Sequence, residues 1–255
     1  MSKRKTGALR APDPRFQNPK YEIPNTVSNT IDFNRARYVR PTRRSVELVP
    51  QSVNQERFIL ALLDQETDIV VVTGPAGTGK TYLTMLAAIK ALKSGEVERI
   101  ILTRPAVSVD DEKHGFLPGD INAKMEPWTR PLLDVLREFY SVAEIKHMLE
   151  EQIVEIAPLA FCRGRNFKNS YVVLDEAQNA TPNQLKMIMT RIGSGSKMVI
   201  TGDIEQTDRR VGDNGLLDLG RRLQEYPVPG LSVCTFEVKD VQRHPIIEHV
   251  LRLYK

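Results

Sequence analysis

Residues 71–81 read VVTGPAGTGKT: a β-branched run, then three glycines in six positions, then Lys-Thr opening a helical pattern. Gly74-Pro75-Ala76-Gly77-Thr78-Gly79-Lys80-Thr81 satisfies GxxxxGK[ST] in full, with a strand expected before it and a helix after. The glycines allow backbone N–H groups to turn inward onto phosphate oxygens, and the helix N-terminus adds its dipole. Lys80 is placed to reach the β- and γ-phosphates, and the Thr81 hydroxyl to ligate Mg²⁺. A hydrolase, a kinase and a regulatory switch can all carry such a loop, so the rest of the chain has to say which.

The surrounding pattern is regular. Residues 52–64 place Phe58, Ile59, Leu62 and Leu63 on one helical stripe, with Ser52 as N-cap. A buried strand is expected at 68–73, a mostly buried helix at 80–92 and a second strand at 97–103. Further strands are expected at 152–156, 170–174, 198–201 and 231–236. Strands alternating with helices predict a three-layer α/β domain around a mainly parallel sheet. Between Pro105 and Pro131, six prolines and glycines interrupt a long segment of the functional or disordered kind.

A phosphate loop needs an acidic partner at another strand end, and YVVLDE at 171–176 supplies one. Asp175 can hold Mg²⁺ through its water shell, and Glu176 can polarise a water for in-line attack on the γ-phosphorus. Two adjacent acids favour hydrolysis over a kinase or slow switch, because an attacking water needs a base. A third strand end carries Gln206, whose amide could sense the γ-phosphate. Asn54-Gln55 opens the first helix, where a side-chain amide could read an adenine edge.

Composition sets the boundaries. The chain has 255 residues and only two cysteines, Cys162 and Cys234, so neither a disulfide framework nor a zinc site is expected, and a reducing cytoplasm fits. No run has the roughly 18 apolar residues that span a bilayer, and the basic N-terminus lacks a signal-peptide core. The first 50 residues hold eleven Lys and Arg against four acids, a net +7 within a chain of +4. This basic extension, residues 1–45, reads either as an arm for an anionic polymer or as a solvated leader ahead of the domain at 46–255.

Taken together, NQ (54–55), GPAGTGKT (74–81), ILTRPA (101–106), VVLDEAQN (172–179) and VITGDIEQTD (199–208) resemble the first RecA-like domain of superfamily 1 helicases. With DEKHGFLPGDINAKMEPWTRPLLD (111–134), FCRGRNFKNS (161–170) and DVQRHPIIEHVLRLY (240–254), the resemblance is to the PhoH-like ATPase family from about residue 45 onward. It implies a cytoplasmic, RecA-like, Mg²⁺-dependent ATPase linked to RNA metabolism. Carried onto this chain, it implies that Lys80 and Thr81 bind phosphate and Mg²⁺, Asp175 binds Mg²⁺, and Glu176 is the base. Gln206 becomes the γ-phosphate sensor, Gln55 the adenine reader, and Arg104 a nucleic-acid contact. Trp128 stands where a tyrosine is commoner, and Asn166-Phe167 and His114 also depart from the usual pattern; these bear on substrate contacts rather than on phosphate chemistry.

The helicases bind ATP between two such domains, and this sequence ends at Lys255 within one. The expectation is an arginine supplied by a neighbouring subunit of a homo-oligomer, a hexameric ring first of all, with Arg243 the leading candidate and Arg209 and Arg210 behind it. Lys124, Trp128 and Arg130 mix cation and aromatic in the manner of a single-strand binder, RNA favoured, although a lone Trp also serves as a core or interface anchor. Two other outcomes stay open: a true helicase working as a ring, and an ATP-dependent clamp or adaptor that does not unwind.

Overall fold

A computed structural model describes residues 45–105, 130–206 and 214–242. Helix α1 (Val53–Leu63) precedes strand β1 (Ile69–Thr73), helix α2 (Lys80–Ser94) and strand β2 (Arg99–Arg104). Residues 130–137 form α3. The chain continues through α4 (Val142–Glu150), β3 (Val154–Pro158), β4 (Ser170–Leu174), α5 (Pro182–Met189), β5 (Lys197–Gly202), α6 (Gly215–Glu225) and β6 (Leu231–Thr235). The strands lie in the order β3-β2-β4-β5-β1-β6, every pair parallel, as the alternating pattern predicts.

Side-chain alternation along the strands sorts the core into two halves. Val70, Val72, Ile100, Leu102, Tyr171, Val173 and Val199 pack with Phe58 of α1, Leu86 of α2, Leu136 of α3 and Ile145 of α4. Their neighbours Val71, Ile101, Val172, Leu174, Met198 and Ile200 pack with Leu185 and Ile188 of α5 and Leu216 of α6. A strand covered on both faces is apolar through its middle, which is why these segments read as continuous hydrophobic runs with polar residues confined to their ends. Each such side chain contributes about 1.5–3 kcal/mol on burial.

Local signals set the element ends. Ser52 caps α1, accepting from Gln55 N at 3.2 Å, as expected. The lysine amine of Lys197 donates to the carbonyls of Ala61, Leu62 and Asp64 at 3.3, 2.9 and 2.7 Å, closing the other end of that helix. Strand β3 begins two residues later than its hydrophobic pattern suggests, because Gln152 adopts φ 57° and cannot extend the ladder. It runs on to Pro158, tolerated because β3 is an edge strand. Pro131, expected to interrupt the chain, lies inside the helical stretch 130–137. Both cysteines are free thiols, pushed up in pKa by burial. Among the described residues no helix is long and apolar enough to cross a membrane.

Candidate nucleotide site

In a parallel sheet all C-terminal strand ends open on one edge, and there the chain gathers its polar residues. The loop after β1 turns on glycines: Gly74 stands at φ 145°, Gly77 at 84° and Gly79 at 83°. Gly79 is the N-cap of α2, no side chain caps that helix, and its first turn carries no acid. The first amides therefore face an anion site with no internal competitor. Thr78 Oγ1 donates to Pro75 O at 2.9 Å, while Lys80 Nζ donates to Gly74 O and Pro75 O at 2.6 and 2.8 Å. The amine thus rests on the loop's own carbonyls, where a triphosphate would draw it outward.

The loop is also held from outside. Gln55, almost fully buried, donates from Nε2 to Thr78 O at 2.9 Å and accepts Gln51 N–H at 2.7 Å. Gln242 N donates to Gly77 O at 2.8 Å, and Asn54 Nδ2 donates to Asp240 Oδ2 at 2.7 Å. Gln55 therefore braces the phosphate loop directly, while Asn54 ties α1 to the segment whose Gln242 holds Gly77.

Opposite the loop, β5 lies between β1 and β4, and it bridges the gap with a hydroxyl. Asp175, at the end of β4, accepts Thr81 Oγ1 at 3.0 Å and Thr201 Oγ1 at 2.6 Å, both on Oδ1. Glu176 follows at φ 54°, a left-handed conformation that costs a non-glycine residue about 1–2 kcal/mol. Its carboxylate has two partners: Arg104 Nη2 lies 3.0 Å from Oε1, and Gln178 Nε2 donates to Oε2 at 2.6 Å. Gln178 accepts Asp203 N–H at 3.0 Å on its other end, joining the acid strand to β5.

These groups surround a cavity of about 300 Å³ lined by Gly77, Lys80, Thr81, Tyr82, Asp175, Glu176 and Gln206. A larger cavity, about 520 Å³, opens at the opposite strand ends beside Asp68, Glu96, Tyr171 and Lys197. Volume alone favours the larger one, but the glycine cradle and the acids belong to the smaller. A triphosphate fits the uncapped helix end and glycine loop. A magnesium ion fits one hydroxyl and one carboxylate side by side, since that ion keeps most of its ligands as water and phosphate.

Of the residues expected from sequence, the loop 74–81, Asp175, Glu176 and Gln206 come together here. Gln55 lies beneath the loop, and Arg104 is ion-paired to Glu176. Arg130 is exposed on α3. Lys124, Trp128, Arg209, Arg210 and Arg243 lie outside the described residues, as do residues 1–44 of the basic extension. Thr201 and Gln178 carry much of the site's geometry without having been assigned a role; both sit within quoted motifs, but only the strand order shows what they touch.

The profile of the family described as PhoH-like protein matches residues 47–255. The chain belongs to the PhoH-like family. A PhoH-like protein of Synechocystis is 44% identical over 214 residues, covering 84% of this chain and 64% of that protein. One from Bacillus subtilis is 39% identical over 237 residues, with coverage of 92% and 73%, and Protein PhoH of Escherichia coli K12 is 37% identical over 218 residues, with coverage of 84% and 60%. The chain thus spans roughly two thirds of these relatives' own lengths. Among solved structures, the Pyrococcus furiosus Hef helicase domain superposes at TM-score 0.40 and 13% identity, over 73% of this chain and 38% of that one. Family and strand arrangement together describe a P-loop NTPase domain.

Proposed function

We propose that this chain binds ATP with Mg²⁺ and hydrolyses it, as a cytoplasmic homo-oligomer acting on single-stranded nucleic acid, RNA favoured. One observation carries the reading: Asp175 is fixed by Thr81 and Thr201 beside Glu176, across a narrow cavity from an uncapped, glycine-lined helix end. The loop amides of 74–79 and Lys80 hold the phosphates. Thr81 and Asp175 would hold a magnesium ion, which when bound would neutralise charge developing on the phosphates. Glu176 orients the attacking water and takes its proton, and Gln206 senses the γ-phosphate. Gln55, which holds the loop through Thr78 O, is the proposed reader of the adenine edge. Arg243 of a neighbouring subunit completes the site, hexameric rings being the expected assembly, and Lys124, Trp128 and Arg130 contact the strand.

The test is phosphate release in parallel with binding of a fluorescent ATP analogue. Hydrolysis should need Mg²⁺ and stop on chelation. E176Q should bind the analogue yet turn over roughly 10²–10⁴-fold more slowly, the contribution of a positioned base. K80A should lose phosphate binding. Wild-type turnover in E176Q would refute the assigned base. Mixing K80A with R243A subunits should restore activity to part of the population if the arginine acts in trans; an R243A protein as active as wild type removes that element alone.

A further inference from the structure

Arg104 ends β2 and reaches the acid strand, where its Nη2 sits 3.0 Å from Glu176 Oε1, with the two side chains 26% and 37% exposed. The second carboxylate oxygen takes the 2.6 Å bond from Gln178. Glu176 is thus gripped between a cation and an amide before any substrate enters, on a backbone already committed to φ 54°. Each oxygen keeps further acceptor capacity for a water, but the two contacts fix where the carboxylate points. Gln178 is buried and tied to Asp203, so it is the fixed side of the grip. Arg104 is the solvent-reachable side.

The surface beside Arg104 suits an anionic strand. Arg104 pairs with Pro158 across the β2–β3 ladder, and just beyond it the 3₁₀ turn Leu159–Cys162 presents Phe161, 59% exposed. Arg163 follows, also exposed. Cys162 Sγ, 3.7 Å from Thr103 Oγ1, ties this turn to the residue preceding Arg104. Arg165, by contrast, belongs to the frame: it pairs with Glu155 and lies 5.0 Å over the Phe167 ring. Exposed Phe161 offers one base a ring to stack on, and exposed Arg163, two residues on, offers a phosphate a charge-assisted contact. The planar guanidinium fork pairs with a phosphate as readily as with a carboxylate, so an arriving phosphodiester can compete with Glu176 for Arg104.

We propose that a single-stranded nucleic acid seated on Phe161 and Arg163 draws Arg104 onto its backbone and thereby releases Glu176 for hydrolysis. The inference rests on the ATPase reading above and adds its control: Arg104 senses the polymer and acts on the reaction through Glu176.

The experiment follows phosphate release by wild type, R104A, R104K and F161A with and without poly(U) or poly(dT), alongside binding of the fluorescent ATP analogue. R104A should raise polymer-free turnover about tenfold, a fraction of the roughly 10²–10⁴ that a positioned base supplies, and bring polymer stimulation close to unity. R104K keeps a cation beside Glu176 and should retain low polymer-free turnover with stimulation. F161A should raise the poly(U) concentration for half-maximal stimulation about tenfold, the loss of one stacked base. An R104A protein slower than wild type with its stimulation ratio intact overturns the switch and leaves Arg104 as a positioning residue. An F161A titration that superposes on wild type overturns the seat. A wild type that hydrolyses ATP without responding to either polymer removes the switch while the ATPase reading stands. A chain that binds the analogue but releases no phosphate in any variant or condition removes both.

Discussion

Thr201 donates a 2.6 Å hydrogen bond to Asp175 Oδ1, the same oxygen that Thr81 reaches at 3.0 Å. The two hydroxyls come from different elements, β5 and the first turn of α2, and they fix the carboxylate at the seam between phosphate loop and acid strand. A hydrogen bond to a charged acceptor is worth about 1.5–3 kcal/mol, enough to choose one rotamer over its alternatives.

Thr201→Val keeps the shape of the side chain and removes only the donor. The Mg²⁺ concentration for half-maximal ATPase activity should rise roughly tenfold, in line with the loss of one charge-assisted bond. Titration with Mg²⁺ at saturating ATP measures it, and an unshifted midpoint would show that Thr81 alone orients Asp175.

Gly202→Ala tests the link between β5 and the base. A Cβ there would lie 2.7 Å from Gln178 Oε1 and 2.6 Å from Leu216 Cδ2. Gln178 must then leave Glu176 and Asp203. Displacing a catalytic group by about an ångström can cost roughly 10²-fold, so kcat should fall on that order while KM for ATP changes little.

Gly74→Ala should be structural first. At φ 145° an added Cβ would meet Phe236 O at 2.6 Å, so strain and collision act together. A loss of at least about 2 kcal/mol in unfolding free energy is expected from urea titration. Gly164→Ala is the control: φ is 78° there, but nothing lies within 4 Å of the new Cβ. Its cost should stay near the roughly 1–2 kcal/mol of the left-handed conformation alone.

Tyr171→Phe is expected to stabilise. The hydroxyl is fully buried in the sheet core with no partner among the described residues, and burial pushes its pKa well above the usual phenol range. An unsatisfied buried polar group costs about 1–3 kcal/mol, so its removal should raise the urea midpoint at unchanged slope. A lower midpoint would mean that the hydroxyl has found a bound water at the edge of the neighbouring cavity.

The strands were legible in the sequence because a sheet covered on both faces is apolar through the middle of each strand. Val70 to Val72 and Val172 to Leu174 could only be buried strands. The phosphate loop was legible because its chemistry is local: glycine spacing, a lysine and a threonine on one turn of chain. The start of β3 was not, since Gln152 looks ordinary in sequence and only its φ of 57° moves the boundary. The partners of Glu176 were hidden for a different reason: Arg104 is 72 residues upstream, and the pairing exists only because β2 and β4 are neighbours.

By itself, then, the sequence determined a parallel α/β layering, a triphosphate cradle at 74–81 and an acid pair at 175–176, because each depends on short-range periodicity or spacing. Tertiary structure alone decided which side chains meet across strand ends. It put Thr201 on Asp175, Gln178 between Glu176 and Asp203, and Arg104 on the carboxylate expected to act as base. Those contacts follow from the order in which strands pair, which is settled by burial of two whole faces at once and leaves no mark in any single stretch of chain.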